Sequence, residues 1–174
     1  VIGRHLPKGL PAHASVVVTD PAMLDAIKAI GGPGIIAAGI RVGVKADGTV
    51  SHMNPDYWYR AYLRGQFKTA QPPAKAVQMR LAKALGDGTG FGGDVAESDL
   101  PNYRYMLGME RFDSSNSEIG THASFEEALK TVQDNLAKGV GNTSRTYEVV
   151  MPDRKLAVFG VAMNDPGDGE GTWM

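Results

Sequence analysis

The chain has 174 residues, 43% of them hydrophobic, with 18 basic and 19 acidic side chains and a formal net charge of -1. That length suits one domain able to bury a core without covalent staples, and the charge balance excludes the basic excess of proteins devoted to nucleic acid or anionic membranes. Cysteine is absent, which removes disulfide frameworks, thiolate metal sites and Cys nucleophiles together.

Aliphatic and aromatic residues are spread along the whole chain, so the composition is that of a folding protein. No apolar run approaches the roughly 18 residues that span a bilayer. The start at Val1 rather than Met fits a mature form whose leader has been removed, and trimming would look the same. Asn142-Thr143-Ser144 is a formal glycosylation sequon, meaningful only in a secreted protein.

Residues 1–13 hold Gly3, Pro7, Gly9 and Pro11 with no apolar period and read as an extended N-terminal arm. Residues 14–163 read as a single α+β domain and 164–174 as a polar C-terminal tail. Both ends are expected to lack regular secondary structure over 1–12 and 164–174.

Within the domain, Ser15 to Val18 is a β-branched strand candidate. Asp20-Pro21 supplies an N-cap and a first-turn proline, followed by Met23, Leu24, Ile27 and Ile30 at helical spacing up to Gly31. Ile40, Val42 and Val44 alternate into Asp47-Gly48, a two-residue hairpin signal, and Thr49 to Met53 returns. Asn54-Pro55 opens an aromatic helix with Trp58, Tyr59 and Tyr62 that is expected to stop at Gly65. Pro72-Pro73 opens another, with Val77, Leu81, Ala84 and Leu85 on one face.

Residues 87–101 are rich in Gly and Asp and read as a long loop. Tyr103 to Phe112 alternates as a strand would. Ser124 and Glu127 form a capping box ahead of Phe125, Leu129, Val132 and Leu136, one apolar face expected to lie on a sheet. Thr146 to Met151 and Leu156 to Met163 are the last strand candidates. The predicted class is therefore α+β, an antiparallel or mixed sheet with helices packed on one side, and two β-α-β-β units are its candidate internal plan.

Motifs for chemistry are incomplete. Gly88-Thr89-Gly90-Phe91-Gly92-Gly93 fits G-x-G-x-x-G, but it follows a helix instead of a strand and runs into Asp94, Glu97 and Asp99, whose charges repel phosphate. The histidines His5, His13, His52 and His122 lack zinc-site spacing, and His52, Glu110 and His122 would have to converge from separate elements to bind a metal. The clusters Asp94, Glu97, Asp99 and Asp165, Asp168, Glu170 lack calcium-loop spacing, and there is no nucleophile elbow around Ser114, Ser115, Ser117 or Ser124. No cofactor and no metal are expected. A small-molecule pocket under the 86–101 loop, with Gly88, Gly90, Gly93, Arg104, Glu110 and His122, is the enzyme alternative.

Charge, by contrast, is unevenly laid down. Residues 54–86 hold six bases (Arg60, Arg64, Lys68, Lys75, Arg80, Lys83) against Asp56, whereas 87–139 hold ten acids against four bases. Aromatic residues interleave with the basic block. A polarised surface of this kind steers and orients a protein partner. The functional expectation is a non-catalytic structural or accessory subunit binding other proteins in a larger assembly, an organellar complex or a virion, with Trp58, Arg60, Tyr62, Arg64 and Lys68 at the interface. Nucleic-acid or cofactor binding by 57–83 is the second alternative, opposed by the acidic block.

Overall fold

The computed structural model describes residues 1–104, 106–109, 111, 113 and 118–164. Among them are six strands and four α-helices, in two antiparallel sheets, which makes the chain an α+β protein. The chain divides into two compact units. The first comprises Val1–Thr19, Gly39–His52 and the described part of Thr121–Met174; the second comprises Asp20–Ala38 and the described part of Met53–Gly120.

In the first unit, β1 (Gly3–His5), β2 (His13–Val18), β3 (Ile40–Lys45) and β4 (Val50–His52) form one sheet in sequential order, all antiparallel. β2 pairs with β3 from His13 opposite Lys45 to Val18 opposite Ile40. The segment expected to be without regular structure thus contributes an edge strand, with Arg4 opposite Val16. Gly3 is needed there for close approach: a Cβ on it would collide with the Thr146 carbonyl oxygen.

The β3–β4 hairpin has a three-residue loop instead of two. Gly48 donates to the Lys45 carbonyl at 3.0 Å and takes φ 87°, while Lys45 donates to the Thr49 carbonyl at 2.9 Å. This is the turn followed by a left-handed glycine that absorbs an extra residue beside the ladder.

β5 (Thr143–Met151) and β6 (Leu156–Met163) form the second sheet, and α4 (Phe125–Ala137) packs on it. Ser124 caps α4 by accepting from Glu127 N at 3.1 Å, and the Glu127 carboxylate accepts from Ala123 N at 3.1 Å, so the capping box closes one residue upstream of its usual reciprocal bond. Phe125, Leu129 and Leu136 are half-buried, but Val132 is exposed, contrary to the face assigned from sequence. The side chain of Gln133 takes the neighbouring position, donating to Glu148 of β5 at 3.3 Å, so a polar residue invisible to hydrophobic periodicity shares the contact face.

The second unit is helical. α1 (Pro21–Ile30) and α2 (Pro55–Leu63) each pack on α3 (Phe67–Leu85), with Met23, Ile27, Tyr59, Leu63, Phe67, Val77 and Leu81 buried. Both Xaa-Pro starts are capped as their sequences dictate: Asp20 accepts from Met23 N at 3.2 Å and Asn54 from Tyr57 N at 3.4 Å.

Two predicted elements change in this unit. α3 begins at Phe67, with Pro72 and Pro73 inside it. Burial of Phe67 and Ala70 holds the preceding turn in helical form although two backbone donors are missing. Tyr103 to Phe112 contains no strand among its described residues. Leu100–Asn102 is a 3-10 turn, and Met109 N donates to the Met106 carbonyl at 3.1 Å across Gly108 at φ 85°. The second β-α-β-β pattern therefore lacks its first strand there. Phe112, the serines 114, 115 and 117, and the tail from 165 to 174 lie outside the described residues.

Candidate protein interface on the helical unit

α2 is amphipathic with an unusual outer face. Tyr59, Ala61 and Leu63 are buried, which leaves Tyr57, Trp58 and Tyr62 half-exposed around the rest of the helix. Trp58 and Tyr62, four residues apart, stack at 5.3 Å between ring centroids with a 31° tilt. Tyr103 enters from the chain beyond α3 and meets Trp58 edge-on at 5.5 Å and Tyr57 at 6.1 Å. Tyr57 and Trp58 complete the cluster at 5.3 Å. Edge-to-face and tilted pairs of this kind suit the ring quadrupoles and hold the side chains in place. Burial in the cluster raises the Tyr57 phenol above its ordinary value, with Tyr103 and Asp94 adding to the effect.

The two arginines of α2 and its end have internal partners. Arg60 pairs with Asp56 one turn earlier at 2.7 Å and with Glu97 of the long loop at 3.3 Å, and its guanidinium sits 4.5 Å over the Phe67 ring. The Asp56 hydrogen bond raises the Arg60 pKa, so its charge is permanent. Arg64 pairs with Asp113 at 2.7 Å and donates to the Pro101 carbonyl at 2.7 Å; its side chain is only 13% exposed. Together they fasten Glu97, Pro101 and Asp113 to the helices.

Arg64 also ends α2. The expected stop was Gly65, but Arg64 takes the positive φ, at φ 53° and ψ -130°. That conformation costs a residue with a Cβ about 1–3 kcal/mol and persists only where the surroundings enforce it. The bonds to Asp113 and Pro101 supply that enforcement.

Lys68 is exposed near the start of α3. Beyond Tyr103, the turn at Met106–Met109 carries Met106, Leu107 and Met109 exposed, Leu107 at 96%. Phe91 of the long loop is exposed as well. Met106, Leu107 and Met109 thus hold three large apolar side chains exposed within one turn.

The residues of the enzyme alternative are placed otherwise. Gly88, Gly90 and Gly93 lie in open loop, where a Cβ would meet nothing within 4 Å. Arg104 is exposed on the same unit. His122 belongs to the first unit, with Nδ1 4.0 Å from Glu127 Oε1, and Glu110 lies outside the described residues. His52 sits on β4. Among the described residues no three or more His, Asp or Glu side chains gather as a metal site, and no helix is long and apolar enough to cross a membrane.

No family model, curated protein or solved structure matches the chain.

Sequence reasoning missed Tyr103, Glu97 and Asp113 as members of this surface. Their signal is nonlocal: Tyr103 lay in a supposed strand, and only the fold pairs the acidic block with the basic one. It also missed the outer face of α3, because opening that helix at Pro72 left Lys68 outside its period.

Proposed function

We propose that the protein is a non-catalytic structural or accessory subunit that binds other proteins in a larger assembly, with the 57–83 segment contributing to the contact. The observation that carries this reading is the half-exposed ring cluster of Tyr57, Trp58, Tyr62 and Tyr103, followed three residues on by the exposed apolar turn Met106–Met109. Aromatic and methionine side chains are what the centres of protein interfaces favour, and rings already fixed by one another lose little entropy on binding.

Arg60 and Arg64 support this surface from behind, through their ion pairs. Reversing them would damage the fold as well as any contact. The clean test uses exposed residues: Leu107→Asp and Lys68→Glu, followed by native mass spectrometry of the complex from the natural source. A stoichiometric protein partner retained by wild type and lost by either variant, with circular dichroism unchanged, is the expected result. A wild-type chain recovered free of partners, or catalytic turnover by the chain alone, would overturn the reading.

A further inference from the structure

α3 carries Lys68, Lys75, Arg80 and Lys83 and no acidic residue in 19 positions. Its buried residues Phe67, Ala70, Ala74, Val77 and Leu81 occupy one face. With about 100° of rotation per residue, Lys68, Lys75, Met79 and Lys83 fall within a sector of about 80° diametrically opposite. All four are exposed, Met79 at 60%. Arg80 lies to one side and is used by the fold, in an ion pair with Asp20. Lys68, Lys75 and Lys83 have no ion-pair partner among the described residues.

Three lysines seven and eight residues apart stand about 10 and 12 Å from each other along the helix axis. We propose that this face docks an acidic amphipathic α-helix of the partner protein. Its carboxylates, about two turns apart, oppose Lys68, Lys75 and Lys83, and a small apolar residue covers Met79. The inference rests on the reading of the chain as a protein-binding subunit and names the chemistry of the partner.

Charge complementarity selects this occupant, and the periodicity selects its form. A row of charges every two turns along one sector of a helix is matched by another helix lying along it, whose own side chains recur at a similar interval. An anionic membrane would require a broad apolar sector beside the lysines; here that sector faces the unit's interior, and of the helix's two exposed large apolar side chains only Met79 stands among the lysines, Leu85 lying at the C-terminal end on the side of the buried face. A single-stranded nucleic acid would require free rings for base stacking; this face has none, and the rings of α2 are stacked on each other.

The test measures binding of the full chain to a synthetic helical peptide of about three heptads with glutamates at one heptad position and alanine or leucine beside them. Comparison probes are the same peptide with those glutamates displaced by two positions, a lysine-for-glutamate version, a single-stranded oligodeoxynucleotide and phosphatidylserine vesicles. The in-register peptide is expected to bind at least about tenfold tighter than the displaced one, with affinity falling as salt rises. Lys75→Glu should lose about tenfold for the glutamate peptide and gain affinity for the lysine version. Equal binding of the displaced peptide, or tighter binding of the oligonucleotide or vesicles, overturns the proposal. A native complex that survives Lys75→Glu and Lys83→Glu but is lost in Leu107→Asp would overturn it while leaving the protein-binding function intact.

Discussion

Asp20 ties the start of α1 to the middle of α3: one carboxylate oxygen accepts from Met23 N, and the other is ion-paired with Arg80. Asp20 is the one buried charged residue among the described residues, whereas the Arg80 side chain is mostly exposed. The asymmetry assigns the two partners different costs. Asp20→Ala removes a cap and an ion pair together and should destabilise by about 2 kcal/mol. Asp20→Asn keeps an oxygen for Met23 and should cost about half of that. Arg80→Ala leaves a buried carboxylate with its cap alone, and chemical denaturation should show it costlier than Lys83→Ala, a change at an exposed neighbour with no ion pair among the described residues.

Arg64 combines an unfavourable backbone with favourable side-chain bonds, and the two can be separated. Arg64→Ala loses the contacts to Asp113 and Pro101 while retaining a Cβ at φ 53°. Arg64→Gly loses the same contacts and is relieved of the strain. Arg64→Gly should therefore be the more stable of the two by about 1 kcal/mol, the reverse of the usual order of glycine and alanine in folded chains. The two variants compared in one denaturant titration decide it, and the usual order would contradict the positive φ.

Legibility from sequence followed the range of the interactions. Asp20-Pro21, Asn54-Pro55 and Ser124 with Glu127 mark three helix starts because a cap is made within three residues of chain. The strands through Val16–Val18, Ile40–Val44 and Leu156–Met163 were equally plain, since alternation or a β-branched run carries them. Pro72, Gly3 and Gly65 were misread where a residue's local preference was overruled by tertiary contact: Phe67 burial, the Thr146 carbonyl and the Arg64 ion pair respectively. Of the candidate surface, Trp58 and Tyr62 were visible as a helical pair, while Tyr103 was not, because its partners lie more than forty residues earlier.

On α4, the half-buried setting of Leu129 puts its truncation at the low end of core substitutions: Leu129→Ala should cost about 2 kcal/mol. Val132→Ala, at an exposed position, should stay within about 0.5 kcal/mol of wild type. Ser124→Ala should cost about 1 kcal/mol through loss of the bond to Glu127 N. A Val132→Ala variant as damaged as Leu129→Ala would return Val132 to the contact face.

Gly160 of β6 lies beneath the Tyr147 ring, so that a Cβ there would collide with the ring carbons and with the Thr146 hydroxyl oxygen. Alanine ordinarily improves on glycine inside a strand. Here Gly160→Ala should destabilise by about 1–3 kcal/mol by overpacking. In a Tyr147→Ala background, with the ring gone, the same change should cost less without becoming neutral, because the Thr146 hydroxyl oxygen still stands 2.5 Å from that Cβ. A double-mutant cycle reads this coupling directly, and an unchanged cost in both backgrounds would assign the effect to Thr146.

Burial raises the phenol pKa of Tyr59, in the core of the helical unit, and of Tyr147, under which Gly160 packs. The folded chain therefore holds these protons at pH values where the unfolded chain, with phenols near pKa 10, releases them. Their contribution to stability is complete below about pH 10 and falls as pH rises above it, because deprotonation then favours the unfolded state. The loss continues until the folded-state phenols themselves ionise. Phenylalanine at position 59 has no proton to lose, so Tyr59→Phe should show a shallower decline of unfolding free energy between about pH 9 and 11 than wild type, while the two curves run parallel near neutrality. Denaturant titrations across that interval measure both, and an alkaline slope unaltered by Tyr59→Phe would show that the Tyr59 hydroxyl reaches solvent.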